Sequence, residues 1–272
     1  MAFRERLPAV LALAIPVLAG ALYMALGGAP AHYALTNLGA LVVAAPWILS
    51  GRGPHTALSR HLMTGVLLFT LLTPLAVSPE MTSITGDTVR RWFPLGSLTL
   101  HTGMLATPGL CVLAARNRTL AAPILLAAVG LAWLQPDAAT GFALTFAAVG
   151  LHHVTKDWKV GGVAAIGFLA SINMALRGEL PPQPFVERVL VEAAGTSVFL
   201  AIALALALAA GFALVLFAVP FDRAKRFALA GLYFGFAVIA LMSSYPTPLI
   251  GYGAAPILGF GIALGLHRIP LR

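Results

Sequence analysis

Residues 177–195, which read RGELPPQPFVERVLVEAAG, concentrate charged side chains in a chain of which only 10% is charged. Two long apolar runs flank this stretch, and its prolines keep its middle out of regular helix. Glu187 and Glu192 are candidate general bases, because a carboxylate can take a proton from a reacting hydroxyl group. If the flanking runs span a bilayer, Glu192 lies close to the hydrocarbon, where an acid is costly and usually functional. The alternative for Glu187 is an exposed surface pair with Arg188, worth little energetically.

A second polar stretch, residues 78–98, carries Arg90 and Arg91 directly before Trp92. Adjacent guanidinium groups suit a phosphate or pyrophosphate, because each can bond an oxyanion through two N–H groups. The alternative is an amphipathic segment at the membrane interface with Trp92 as its aromatic anchor. The candidate substrate contacts from the two stretches are Arg90, Arg91, Trp92, Arg177 and Arg188.

Asp137 follows Gln135 and Pro136 near the middle of an apolar run, Thr119–Val154, that is long enough to span a membrane twice. The three residues predict a tight turn between two helices. Asp137 either caps the second helix, as Asp often does, or serves as a third candidate base.

No pattern of metal ligands is visible in the sequence. Cys111 is the single cysteine, lies in an apolar run and cannot form an internal disulfide. The adjacent His152 and His153 are weak evidence for a metal by themselves. We expect no metal and no resident cofactor.

The elements that position these residues are predicted to be membrane-spanning helices. The chain is 60% hydrophobic, its mean hydropathy is +0.93, and apolar runs of nearly twenty residues recur along it. The sequence therefore predicts an all-α, polytopic membrane protein with about ten transmembrane helices, in one domain covering residues 1–272. The predicted spans are 8–28, 33–50, 61–78, 97–115, 119–134, 138–154, 160–176, 189–217, 226–243 and 249–267.

The net charge of +8 is explained by topology rather than by a nucleic-acid partner. Of the 17 Lys and Arg residues, all but Arg90, Arg91, Arg177 and Arg188 fall in segments on one side of the predicted spans. The positive-inside rule then predicts that both termini are cytoplasmic and that residues 78–98 and 177–188 face outward.

The last apolar segment, Ser243–Leu266, is rich in glycine and contains Tyr252. Small residues let helices approach closely in a bilayer, where lipid supplies no hydrophobic drive for association. We therefore expect this segment to pack tightly against other helices.

Taken in order, four of these landmarks resemble the SEDS family (shape, elongation, division and sporulation). GDTVRRWFPLG at 86–96 is similar to the family's outer-loop pattern, and Gln135-Pro136-Asp137 matches its Gln-Pro-Asp turn. Leu180 through Gly195 resembles a stretch that opens with Leu-Pro and closes with Glu-Glu-Leu-Gly. PLIGYGAAPILGFGIALGL at 248–266 resembles the last-span pattern, and its Tyr252 becomes a further candidate substrate contact.

The resemblance implies a multi-pass protein of the bacterial inner membrane that acts in peptidoglycan-type glycan assembly. Such a protein would polymerise an undecaprenyl-linked precursor on the outer face, beside a class B penicillin-binding protein or another membrane subunit. In that chemistry Glu187, Glu192 or Asp137 would act as the base, the arginines would contact the lipid pyrophosphate, and a divalent cation could assist them.

The chain also departs from the family pattern. His101-Thr102-Gly103-Met104 stands where an acid and a nearby lysine are usual, and Gln183, Pro184 and Phe185 stand near the expected aspartate. A second hypothesis is therefore a catalytically degenerate scaffold, or a subunit that binds polyprenyl phosphate. A transporter, the third class, would call for related halves and interrupted helices at mid-bilayer, and no internal repeat is visible.

Overall fold

The computed structural model describes residues 2–96 and 98–267. Within these ranges the chain is mostly helical, and its α-helices are numbered here in chain order. They are α1 (Ala2–Leu26), α2 (Ala31–Ser50), α3 (Ala57–Leu72), α4 (Pro74–Val77), α5 (Thr102–Arg116), α6 (Ala121–Leu134), α7 (Ala138–Thr155), α8 (Trp158–Gly178), α9 (Val189–Thr196), α10 (Val198–Ala213), α11 (Arg223–Met242) and α12 (Ala254–Gly265).

Several of these helices suit a bilayer. In the described ranges, six helical segments are long and apolar enough to cross a membrane. They are Arg4–Leu26, Ala31–Ser50, Ala57–Val77, Trp158–Gly178, Val198–Ala218 and Arg223–Met242. The chain is therefore a multi-pass helical membrane protein. The count of ten spans and the cytoplasmic termini stay predictions, and the basic residues Arg268 and Arg272 lie outside the described residues.

Helix α5 lies at the centre of the bundle, and from Thr102 to Ala114 every residue except the partly buried Leu105 is buried. It packs against α3, α11 and α12. Gly259 of α12 lies so close to α5 that an added Cβ would overlap the carbonyl oxygen of Met104. This contact agrees with the expected tight packing of the glycine-rich last segment.

Helices α3 and α10 lie at the periphery. Leu62, Val66 and Phe69 of α3 are each more than 60% exposed, and so are Phe199 and Leu206 of α10. A continuous apolar face of this kind is suited to lipid contact.

The all-α prediction is confirmed at the level of the fold, and two short β-hairpins within residues 81–96 and 98–101 add to it. Strand β1 (Met81–Thr82) pairs with β2 (Thr88–Val89), and β3 (Trp92–Leu95) pairs with β4 (Leu98–His101), both antiparallel. Gly86 and Gly96, at φ +89° and +60°, permit the two tight turns. The β3–β4 pairing brings Trp92 opposite His101.

The predicted span 189–217 is not one continuous helix. The chain breaks at Ser197, which is extended at φ −158° and ψ 124°, so α9 and α10 are separate. Gly195, Thr196 and Ser197 are all weaker helix formers than the alanines and leucines around them. A π-helical turn, Leu214–Ala218, then extends α10.

Candidate functional site

The connection between α8 and α9 is fastened to the connection between α11 and α12. The Thr247 backbone N–H donates to Val186 O at 2.9 Å, and Thr247 Oγ1 accepts from Val189 N at 3.0 Å. An isolated antiparallel bridge joins Glu187 to Pro246. These bonds hold the Glu187 backbone against a second, buried part of the chain.

A cavity of about 180 Å³ opens beside Glu187. Its lining includes Trp92, Thr99, His101, Gln183, Glu187 and Tyr252. The structure therefore brings together three of the residues predicted from sequence, namely Glu187, Trp92 and Tyr252. Glu187 lines a cavity rather than forming a purely surface pair with Arg188.

The Glu187 carboxyl group is half-buried, and Oε2 accepts a 2.7 Å hydrogen bond from the Gln183 backbone N–H. Burial raises the pKa of Glu187 to about 7, although that bond and the nearby Arg91 charge act in the opposite direction. The group is therefore partly ionised near neutral pH, as a general base should be.

Tyr252 is held on the cavity wall by contacts to α2. Its ring stacks on Tyr33, with centroids 3.8 Å apart and planes 8° apart. The fully buried Asn37 donates from Nδ2 to Gly251 O at 2.8 Å and accepts at Oδ1 from Gly253 N at 3.0 Å. Both neighbours of Tyr252 are thus fixed by one side chain.

A buried polar cluster of Arg91, His101 and Asp137 lies behind the cavity. Asp137 is fully buried and caps α7, with Oδ1 accepting from Thr140 N at 3.2 Å. Arg91 Nη1 lies 3.9 Å from Asp137 Oδ1, and Nη2 donates to Gly178 O. Asp137 therefore caps its helix as one of the sequence interpretations predicted. Its role as a base stays a prediction.

His101 joins this cluster to the cavity wall. Its Nδ1 accepts from Met104 N at 3.3 Å, so the neutral ring carries its proton on Nε2, which lies 3.5 Å from Asp137 Oδ2. Because both ring nitrogens are turned to protein groups, His101 offers the cavity its ring rather than a base.

The other predicted arginines lie outside the cavity. Arg90 pairs with Glu80 and donates to Leu75 O at 3.1 Å, and Arg177 Nε lies 3.4 Å from Asp87 Oδ1. Arg188 is the N-cap residue that precedes α9, and it adopts the left-handed conformation at φ +52°. None of the four predicted arginines, all within the described ranges, lines the cavity beside Glu187.

Glu192 faces a different cavity from Glu187. Its Oε2 accepts from Phe185 N at 2.9 Å, and it lines an apolar space of about 420 Å³ among α1, α9 and α10. The wall of that space also includes Tyr23, Phe185 and Leu200. Glu187 and Glu192 therefore face two different cavities although they belong to one polar stretch of the sequence.

Sequence reasoning missed two members of this region, His101 and Tyr245. Tyr245 is fully buried, with its ring 5.0 Å from the Arg91 guanidinium carbon. The sequence feature that could have identified Tyr245 is its position, two residues before Thr247, in a short polar segment between two apolar runs. His101 stands where the sequence departs from the family pattern, and that departure could have identified it as a candidate site residue.

Among the described residues, no group of three or more His, Cys, Asp and Glu side chains could hold a metal ion. Glu187 is the single acid among the residues that line its cavity.

No family model and no curated protein matches the chain. Among solved structures, the chain is similar to the rod-shape-determining protein RodA of Thermus thermophilus, with 21% identity, a TM-score of 0.57 and 94% of each chain covered. It is also similar to a chain in a structure that describes how a peptidoglycan synthase complex coordinates polymerization and crosslinking. That match has 20% identity and a TM-score of 0.58, and it covers 93% of this chain and 94% of the other. At such identities the likeness concerns the fold, and it confirms at that level the resemblance to the SEDS family: the chain has the fold of RodA.

Proposed function

We propose that this protein is a SEDS-type membrane protein of peptidoglycan-type glycan assembly that polymerises an undecaprenyl-linked precursor, with Glu187 as the general base. The observation that carries the proposal is the position of Glu187. It is a carboxyl group with a pKa of about 7, on the wall of a cavity that Trp92 and Tyr252 also line. The RodA fold supports the part of the proposal that assigns the protein to peptidoglycan-type glycan assembly.

In the proposed reaction, a sugar hydroxyl of the acceptor attacks the anomeric carbon of the donor. The new C–O bond forms as the bond from that carbon to the lipid pyrophosphate breaks, and Glu187 takes the hydroxyl proton. Trp92 and Tyr252 offer flat apolar faces on which a sugar ring can stack. The buried Arg91 keeps a positive charge near the site, which favours the departing pyrophosphate.

The polymerase proposal includes the location of the reaction and its partner. The cavity would open on the outer face of the inner membrane, where positive-inside charge placement puts residues 177–188. The structural likeness to a chain of a peptidoglycan synthase complex supports a membrane partner such as a class B penicillin-binding protein.

One observation favours the second hypothesis, a scaffold or lipid-carrier subunit without turnover. None of the four predicted phosphate-binding arginines lines the cavity beside Glu187, so the leaving group would lack a direct bidentate contact there. Arg90, Arg91 and Arg177 are instead engaged by Glu80, Asp137 and Asp87.

The test is polymer formation from labelled lipid-linked disaccharide precursor by the purified protein, with and without a penicillin-binding-protein partner. Polymer that depends on Glu187 supports the polymerase. A stable partner complex that forms no polymer overturns it and supports the scaffold. The same assay on E192Q and D137N tests the other two predicted acids.

A further inference from the structure

At the opposite end of the bundle from Glu187, basic residues converge on a cavity of about 510 Å³. Helix α5 connects the two ends: it begins beside His101 and ends at Arg116, 15 residues later. At 1.5 Å per residue, the two regions lie about 22 Å apart. The cavity wall includes Arg60, Arg116, Arg118, Asp222, Arg223 and Lys225.

The cavity carries an excess of positive charge. Its one acid, Asp222, is engaged by Lys225, through a 3.0 Å cap from the Lys225 backbone N–H and through the side-chain ammonium. Further charge comes from Arg60, Arg118 and Arg223, which the chain supplies from three separate places. Outside the cavity wall, Asp157 lies beside Arg118 in a small adjoining space, where its carboxylate caps α8.

Like charges converging on one concave site repel each other, so the arrangement is stabilised when an anion enters. The positive-inside rule explains basic residues at this end of the bundle, but it does not require them to meet. Arg52, Lys156 and Lys159 satisfy that rule as well, and they are exposed residues outside the cavity wall.

The position of the cavity at one end of the bundle favours a lipid as the source of the anion. Leu58 and Leu62 of α3 are 68% and 61% exposed, and they lie across the helix from Arg60 because residues two positions apart point to opposite sides. Arg60 lies near the start of α3, so the phosphate of a lipid whose acyl chains lie along the outer side of α3 would reach the arginines past the end of that helix. Basic pockets between membrane helices suit acidic headgroups, because guanidinium groups bond phosphate oxygens in pairs.

We infer that this cavity is a binding site for the phosphate headgroup of an acidic phospholipid, separate from the cavity beside Glu187. Inorganic phosphate and pyrophosphate share the headgroup chemistry and are the competing source. The inference does not depend on the polymerase proposal, since neither residue set belongs to the other site.

The test compares two variants that each lose three positive charges at this end of the bundle. The site variant is R60Q/R118Q/R223Q, and the matched control is R52Q/K156Q/K159Q. Native mass spectrometry of each purified protein, titrated with cardiolipin, phosphatidylglycerol or phosphatidylcholine, measures retained lipid. We expect wild type and control to retain acidic lipid. The affinity of the site variant for acidic lipid should be at least about tenfold lower, given the contribution of each basic residue near a headgroup.

Three outcomes would overturn the inference. Equal losses in the two triple variants would mean that overall charge, not the cavity, binds the lipid. Pyrophosphate that displaces cardiolipin at equal concentration would assign the site to a soluble anion. Equal retention of phosphatidylcholine would remove the headgroup preference. If the triple site variant does not fold, the single substitution R118Q, at an exposed turn residue, is measured instead and should weaken binding by about threefold or more.

Discussion

Nε2 of His101 lies 3.5 Å from Oδ2 of Asp137, and the imidazole therefore turns its proton away from the cavity whose wall it helps to form. Two kinds of polar group therefore lie close together here, one with a structural role and one that faces the cavity. The buried Asp137, Arg91 and His101 stabilise the end of the bundle, whereas Glu187 remains beside the cavity.

Glu187→Gln should abolish most of the polymerising activity while leaving the fold intact. The amide keeps the size of the side chain but cannot accept a proton, and removal of a general base slows a reaction by about 10²–10⁴-fold. Initial rates on labelled precursor measure the effect. Glu80→Gln, which removes an exposed acid of the β1 region, is the matched control and should keep the wild-type rate. Full activity in Glu187→Gln would remove Glu187 from the mechanism.

The rate should rise with pH through about 7, because the base must be ionised and the pKa of Glu187 lies there. Assays at several pH values below and above 7, at saturating precursor, measure this profile. Replacing Glu187 by Asp should move the inflection while keeping its direction. A rate that is flat across this range would show that another group limits turnover.

The same pKa has the opposite consequence for stability. Glu187 has a folded-state pKa of about 7, above its ordinary value of 4.5, so the folded protein binds the proton more tightly. Its contribution to stability is complete below pH 4.5 and is lost as the pH rises through 7. Thermal unfolding in detergent should show this loss in wild type and a smaller one in Glu187→Gln. Identical pH dependence in the two proteins would contradict the raised pKa.

Asp137→Asn should destabilise the protein although asparagine also caps helices. The substitution leaves the buried Arg91 without its carboxylate partner, and breaking a buried ion pair typically removes about 3 kcal/mol or more. Asp137→Ala loses the cap as well, which adds about 1 kcal/mol. The midpoint temperature of thermal unfolding should therefore be highest for wild type, lower for Asp137→Asn and lowest for Asp137→Ala. Equal midpoints for wild type and Asn would mean that Arg91 does not need this charge.

Asn37→Ala should loosen the wall that carries Tyr252. The change leaves the buried polar groups of Gly251 and Gly253 without their side-chain partner, at about 2 kcal/mol or more. Asn173→Ala is the matched control, because Asn173 is an exposed helical asparagine bonded to Trp133, and it should change stability by about 0.5 kcal/mol or less. Similar losses in the two variants would argue against a special role for Asn37.

The sequence predicted the helical segments well because apolar runs of bilayer length have few alternatives. It did not predict the break at Ser197, since the run around it stays apolar and only three weak helix formers mark the place. It also did not predict the two hairpins, where the turn glycines Gly86 and Gly96 and the alternation of apolar and polar residues in Leu98–His101 were the available signals.

The candidate site was predictable in part. Glu187, Trp92 and Tyr252 could be named from residue type and pattern, and the structure brings them to one cavity. Which carboxylate faces that cavity could not be read from the sequence. Glu187 and Glu192 stand five positions apart, and the hydrogen bond from Phe185 N that directs Glu192 elsewhere depends on the left-handed backbone at Phe185.

The break at Ser197 also separates two mechanical environments. Helix α9 is hydrogen-bonded through Val189 to Thr247, in the same segment that holds the Glu187 backbone, whereas α10 carries the exposed apolar side chains of Phe199 and Leu206. An extended residue between them transmits bending and tilt poorly compared with a continuous helix. Changes in bilayer thickness that tilt α10 would therefore be absorbed at this joint, and the geometry around Glu187 would be insulated from the state of the surrounding membrane.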